Sequence, residues 1–280
     1  MKILQVLILV HTHSSAFGTR RAIRNSWGVQ TVEKYPKLND SLRWTTLFVL
    51  GKSPTNQWEQ EVTREEQEFG DMLQGDFIDN QFEGTRKFLL AMTWLTQQVT
   101  LDCQPQFVMK TEEYIYHNMN SVMNWIESKF EANPRGVYMG KKLTKDVPIR
   151  EPANPLYVSW QYYSKTYFPD MIQGPQYLFD YVTYKALGRQ VLHVTKIAME
   201  EGYISLLAEA AGVKPTHNEH FVLLKKPSNV CHMLRMFFVS DIKPSEHTKI
   251  FKSTREALSN GICPNAQVIR TGNRRVNIEM

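Results

Sequence analysis

The first pattern in the chain is the run Ile3-Leu4-Gln5-Val6-Leu7-Ile8-Leu9-Val10, apolar throughout except for Gln5. It shows no alternation of polar and apolar positions and is rich in branched side chains, which predicts a strand buried on both faces. It is well short of the roughly 20 apolar residues of a membrane helix. A signal-peptide core ahead of Ser14-Ser15-Ala16 is the alternative reading. The polar residues after Val10 favour the strand, and with it a chain whose start is already the start of its catalytic domain.

Similar runs recur further on. Strands are expected at 45–50, at Met72-Leu73 and at 106–110, and helices at 19–27, 58–69, 85–99 and 119–131. Thr19 is the expected N-cap of the first helix. This alternation predicts an α/β fold with a mostly parallel sheet and helices on both faces, and such folds carry their sites at the carboxyl ends of the strands. The second half is more mixed. Short strands are expected at 136–141 and 156–160, helices at 176–188 and 200–211, and two late strands, at 219–224 and 233–239, that could pair. Pro148, Pro152 and Pro155 break the region between the two short strands. No linker separates the halves, so the 280 residues read as one domain. Its first half is about 1–135, its second about 136–250 and its C-terminal tail about 251–280.

Composition narrows the class. Hydrophobic residues make up 42% and charged residues 22%, which argues against disorder. The formal charge of +5 is scattered in pairs such as Arg20-Arg21, Lys141-Lys142 and Arg274-Arg275. Nucleic-acid binding, which needs a basic stripe or a recognised motif, is therefore not expected. The positive balance suits an anionic small molecule such as a nucleotide-sugar diphosphate. Cys103, Cys231 and Cys263 match no zinc spacing and allow either one disulfide with one free thiol or three free thiols. Asn39-Asp40-Ser41 is the one glycosylation sequon, a weak signal by itself.

The chemistry centres on Phe107-Val108-Met109-Lys110-Thr111-Glu112-Glu113-Tyr114, where a hydrophobic strand runs into two adjacent acids. Carboxylates at a strand end can hold a divalent ion that clamps a diphosphate, with Lys110 adding charge nearby. The plainer reading is an acidic loop capping the next helix.

Here the segment resembles the K-T-D-D-D-x-F-V-N metal motif of the β-1,3-galactosyl/N-acetylglucosaminyltransferases, and other segments follow in that family's order. Arg20-Arg21-Ala22-Ile23-Arg24-Asn25-Ser26-Trp27-Gly28 is similar to R-R-x-x-I-R-x-T-W-G, and Phe48-Val49-Leu50-Gly51 to F-x-L-G. Asp71-Met72-Leu73-Gln74-Gly75-Asp76-Phe77-Ile78-Asp79 is similar to D-I-L-x-x-D-F-x-D. Thr85-Arg86-Lys87 with Trp94 and Cys103 resembles T-x-K…W…C. Tyr167-Phe168-Pro169 with Gly174 and Tyr177 resembles Y-P-x-Y-x-x-G-x-G-Y, and Glu200-Glu201-Gly202-Tyr203 resembles E-D-V-Y. The resemblance runs from residue 3 to about 244.

The resemblance implies a GT-A-type, Rossmann-like fold that transfers a sugar from a UDP-sugar to a glycan acceptor with inversion, usually with manganese or magnesium. It also implies a place on the lumenal side of the Golgi membrane, although the family's membrane anchor is not visible in this chain. It assigns Glu201 as the catalytic base. Arg20, Arg24, Asp76, Lys87, Lys110 and Glu112 become donor-binding candidates, and Glu112 and Glu113 metal candidates. Gly174 and Tyr177 are acceptor-side candidates. Trp160, with Tyr162 and Tyr163, offers aromatic faces for stacking on sugars or for core packing. Trp27 and Trp94 are expected in the core.

The departures are specific. Tyr114 stands at the third acid, the family's usual metal ligand, and a phenol is a poor ligand for a hard cation. Gln176 replaces the second glycine of G-x-G-Y, Glu83-Gly84-Thr85 replaces a sequon, and Ser240 stands near the family's histidine. They leave a catalytically silent relative, acting as chaperone or binding partner, as the alternative to an active transferase.

Overall fold

A computed structural model describes residues 4–31, 35, 41–97, 104–130 and 134–263 of the chain. The sequon asparagine, Cys103 and Arg274-Arg275 lie outside the described residues. Strand β1 (Leu4–His11) forms where the apolar run predicts it. Val6, Ile8 and Val10 enter one core and Leu7 and Leu9 the other, so the absence of alternation follows from burial on both faces. Helix α1 (Phe17–Arg24) starts ahead of Thr19, with Ala16 at its N-cap position.

Strand β2 (Leu42–Lys52), helix α2 (Asn56–Phe69), strand β3 (Met72–Ile78), helix α3 (Gly84–Gln97) and strand β4 (Phe107–Glu112) complete the parallel half. The Thr55 side chain caps α2 by accepting from the Trp58 N–H. Then come the two-residue strand β5 (Tyr116–His117), helix α4 (Met119–Lys129) and strand β6 (Tyr138–Leu143).

The next segment departs from expectation. Residues 156–160 form no strand; they belong to a long irregular loop tied down by Arg150, whose guanidinium donates to the carbonyls of Val158, Tyr163 and Lys165. The helix expected at 176–188 is strand β7 (Met171–Asp180) followed at once by helix α5 (Tyr181–Gly188). The Asp180 carboxylate accepts from the Thr183 N–H and so marks the switch.

Helix α6 (Glu200–Ala210) and strand β8 (Thr216–His217) follow. Of the two late strands expected, 219–224 is largely a short 3-10 turn at Glu219–Phe221, before strand β9 (Leu224–Lys225). The other is split into helix α7 (Val230–Arg235) and strand β10 (Phe238–Ser240). β9 and β10 do pair, with Val239 opposite Leu224. Pro244–Ser259 form helix α8, so the start of the expected tail is ordered helix packed on α1. A disulfide, Cys231–Cys263, joins α7 to the end of α8, which excludes three free thiols.

The main sheet has the order β3-β2-β1-β4-β7-β6-β8. β1, β2, β3 and β4 run parallel, and β7 pairs antiparallel with both β4 and β6. Helices cover both faces. Trp27, Met123, Ile126 and Ile250 belong to one core, and Phe88, Leu95, Tyr184 and Leu207 to the other. Burying each such side chain contributes about 1.5–3 kcal/mol. The α/β sheet with helices on both faces is thus observed. Among the described residues no helix is long and apolar enough to cross a membrane.

Candidate active site

Parallel strands deliver their carboxyl ends to one edge, and the chemistry gathers there. His11 ends β1 opposite Glu112 at the end of β4. Lys110 and Glu112 are two apart on β4 and so face the same side. The Lys110 Nζ lies 2.6 Å from Glu112 Oε1 and 2.8 Å from Glu200 Oε1. His11 Nδ1 lies 3.4 Å from Glu200 Oε2 and 3.7 Å from Glu112 Oε1. Glu200 comes from the first turn of α6, where the helix dipole favours a carboxylate. The start of α3 presses close to it: a side chain at Gly84 would strike Glu200 Oε2.

This packing sets the charges. Burial opposes charge on Lys110, but Glu112 and Glu200 outweigh it and raise the ammonium above the ordinary lysine value. Burial would raise the Glu200 carboxyl, but Lys110 and His11 hold it down at about 2. His11 is pushed down by burial and by Lys110. Its neighbour Glu201 goes the other way: burial and the Glu200 charge raise its carboxyl. Glu201 makes no ion pair among the described residues.

Glu201 meets β7 at Gly174. A side chain there would collide with Glu201 Oε1 and come within 2.9 Å of the Tyr177 hydroxyl. Tyr177 is fully buried, its ring centroid 5.3 Å from the Lys110 Nζ. Gly174, Tyr177 and Glu201 thus meet at one point, with Lys110 behind them.

Glu112 and Glu113 diverge. Glu113 turns back to the end of β1, accepting from the Thr12 hydroxyl at 2.5 Å and the His13 N–H at 3.4 Å, and burial raises its carboxyl. Tyr114 is 42% exposed, and burial with the Glu112 charge pushes its phenol up to about 12. Among the described residues, the one group of acids and histidines close enough to share an ion is His11, Glu112 and Glu200. Their ligand atoms lie within 4.8 Å of one another.

Several expected donor contacts act as braces within the chain, each paired with an acid. Arg20 is fully buried and donates to Glu65 and to the carbonyls of His13 and Ser14. Arg24 bonds Glu65 and Asp71. Lys87 lies 2.7 Å from Asp79 and donates to the Thr12 carbonyl, while Asp79 accepts from the Ser14 N–H. These three residues shape the β1–α1 turn that carries the site rather than reaching into it. Asp76 pairs with Lys52 on the surface and does not converge on the cluster. Trp160 is 56% exposed with the Arg150 guanidinium 3.9 Å above its ring, and Tyr163 is buried against Phe168. Trp27 is fully buried and stacked on His117, and Trp94 packs partly buried against the second core.

Sequence reasoning missed His11, and it gave Glu200 only as part of the segment Glu200-Glu201-Gly202-Tyr203, with no role of its own. The available signal was a polar residue ending a buried strand in register with the acidic segment.

A cluster of carboxylates around a buried lysine, at the carboxyl ends of a mostly parallel sheet, stands where α/β enzymes carry their sites. Residues 18–219 match the family model described as Galactosyltransferase. The mouse and human β-1,3-galactosyltransferase 1 are each 29% identical to this chain over 246 residues, covering 88% of it and 72% of that protein. Human lactosylceramide 1,3-N-acetyl-beta-D-glucosaminyltransferase is 25% identical over 222 residues, covering 77% of this chain and 57% of that protein. Among solved structures, a 4-diphosphocytidyl-2C-methyl-D-erythritol synthase shares 12% identity at a TM-score of 0.38, over 84% of this chain and 98% of that one. The fold assignment rests on the strand order itself. The chain belongs to the galactosyltransferase family and is a glycosyltransferase of the hexosyltransferase class. The silent alternative is not favoured, since its relatives are transferases.

Proposed function

We propose that the chain transfers a hexose or N-acetylhexosamine from a UDP-sugar to a glycan hydroxyl, forming a β-1,3 linkage with inversion, and that Glu201 is the base. One observation carries this: two adjacent acids with environments that drive their titration apart, which is how acid and base roles are divided in active sites. Glu200 is fixed as an anion against Lys110. Glu201, raised and free of ion pairs, is the better base near neutral pH.

The acceptor hydroxyl enters beside Gly174 and Tyr177. Its oxygen attacks the anomeric carbon from the face opposite the diphosphate while its proton passes to Glu201. The bond from the anomeric carbon to the diphosphate oxygen breaks, and UDP leaves with the electron pair. Inversion needs this one positioned base. Lys110 and Glu112 are the donor-side residues, and Trp160 offers an exposed ring for an acceptor sugar.

The family implies manganese or magnesium. The residues here do not fit it: Tyr114 replaces the acid, Glu113 faces Thr12 and His13, and Lys110 already lies between Glu112 and Glu200. We place the enzyme on the lumenal side of the Golgi; the Cys231–Cys263 disulfide suits an oxidising compartment.

The test is a panel of UDP-galactose, UDP-N-acetylgalactosamine and UDP-N-acetylglucosamine with oligosaccharide acceptors, reading released UDP and the product by NMR. A β-1,3 product is expected from one donor. An α-linked product, or no UDP release and no UDP binding, sinks the proposal.

A further inference from the structure

We infer that the cation of this active site is the Lys110 ammonium and that the chain binds its UDP donor without a divalent metal. The inference rests on the donor reading above and departs from what the family implies.

Three features carry it together, with Tyr114 decisive, since the metal motif this segment resembles also has a lysine at position 110. The first is the ammonium itself. Lys110 is 2% exposed, and Glu112 Oε1 and Glu200 Oε1, from two of the three residues an ion would share, lie 2.6 and 2.8 Å from its Nζ. An ion bound through those oxygens would be pressed against a buried positive charge. The second is position 114. The Tyr114 side chain feels Glu112, Lys110, Asp241 and Glu201, so it stands among the site's charges, yet it offers only a phenol where a hard cation takes carboxylate oxygen. The third is Glu113, whose carboxylate is turned onto the Thr12 hydroxyl and the His13 N–H, away from the His11, Glu112 and Glu200 group.

An ammonium has three donors. Glu112 takes one and Glu200 lies 2.8 Å away as an ion pair, which leaves donor capacity for an oxygen of the donor diphosphate. The lysine thus supplies the positive charge at the leaving group, and His11 fills the rest of the space between the two carboxylates.

The experiment titrates the full chain with manganese, reading free Mn²⁺ by electron paramagnetic resonance with and without UDP, against UDP alone. UDP affinity is then measured by calorimetry in manganese and in EDTA. The expected result is no loss of free-manganese signal beyond the control and UDP dissociation constants within threefold in the two buffers. A folded Tyr114→Asp variant is expected to remove manganese stoichiometrically and to bind UDP at least tenfold tighter with it. Stoichiometric manganese binding by the unmodified chain, or a tenfold loss of UDP affinity in EDTA, overturns the inference. A Tyr114→Asp variant that binds no more manganese than its parent overturns the part assigned to the tyrosine. If manganese stays free and UDP binds in neither buffer, the donor reading falls while the metal-free site stands.

Discussion

Glu200 and Glu201 are consecutive in the chain, yet burial acts on them with opposite outcomes. Glu200 lies 2.8 Å from the Lys110 ammonium and stays an anion down to about pH 2, while Glu201 has no ion pair and is raised by burial and by its neighbour's charge. The division follows from α6: successive residues of a helix point about 100° apart, so one enters the sheet edge and the other faces β7. Glu201→Gln is therefore expected to lower kcat by about 10²- to 10⁴-fold, the usual range for a lost general base. UDP affinity should stay within about twofold, since Glu201 binds no cation. A similar loss in UDP affinity, measured by calorimetry, would assign it to donor binding instead.

The same pair sets two pH dependences of distinct origin. Glu201 works as its anion, and its carboxyl is raised, so kcat/KM should fall as pH drops through that raised value, above the ordinary Glu range. Stability follows Glu200. Its folded value of about 2 lies below the 4.5 of the free group, so its contribution is complete above 4.5 and is lost as pH falls toward 2. The amount is on the order of 3 kcal/mol. Denaturant unfolding at pH 7 and pH 3 should show about 2 kcal/mol of this loss, the rest coming as pH falls to 2, and Glu200→Gln should flatten it.

Glu65 receives both Arg20 and Arg24, with Asp71 sharing Arg24. Breaking such a buried network from one side strands charge without water, at a cost of about 3–5 kcal/mol. Glu65→Ala is expected to lose that much in unfolding free energy, because the fully buried Arg20 loses its one carboxylate and keeps only neutral acceptors, while Arg24 retains Asp71. A loss under about 1 kcal/mol would show that the guanidinium groups find water or new partners.

The disulfide closes a loop of 32 residues between Cys231 and Cys263. Chain-entropy arguments assign a loop of that size about 3–4 kcal/mol. Cys231→Ser, or reduction, should lower unfolding free energy by about that amount and loosen α7 and α8 first, as read by hydrogen exchange. Turnover should change little, since neither cysteine lies among the active-site residues.

The sheet's parallel half was legible because β1 and β4 are buried on both faces and so are apolar without interruption. β7 was not, because only Asp180 parts Tyr177-Leu178-Phe179 from Tyr181-Val182, and a short apolar run fits a strand or a helix equally. Asp180, an N-cap residue, was the overlooked boundary. In the site, Glu112, Lys110 and Glu201 could be placed by their motifs. Arg20, Arg24 and Lys87 could not, because a positive charge suits a phosphate and a buried carboxylate alike, and their partners Glu65, Asp71 and Asp79 are distant in sequence. Nor could the tilt of Glu113 toward Thr12, which depends on how β1 ends.

Gly174 gives the sharpest test of the base assignment, because it acts by space alone. Its Cα lies where any side chain would collide with Glu201 Oε1 and crowd the Tyr177 hydroxyl. Gly174→Ala adds one methyl and no charge, so it acts by displacing the Glu201 carboxylate and, less closely, the Tyr177 hydroxyl. Misplacing a reacting group by about 1 Å can cost about 10²-fold in rate. The variant is expected to keep its UDP affinity, since Lys110 and Glu112 lie on β4, and to lose at least about tenfold in kcat. Glu201→Asp in the same background withdraws the carboxylate by one methylene and should recover part of that loss. If Gly174→Ala keeps full turnover, the acceptor proton leaves by another route and Glu201 is not the base.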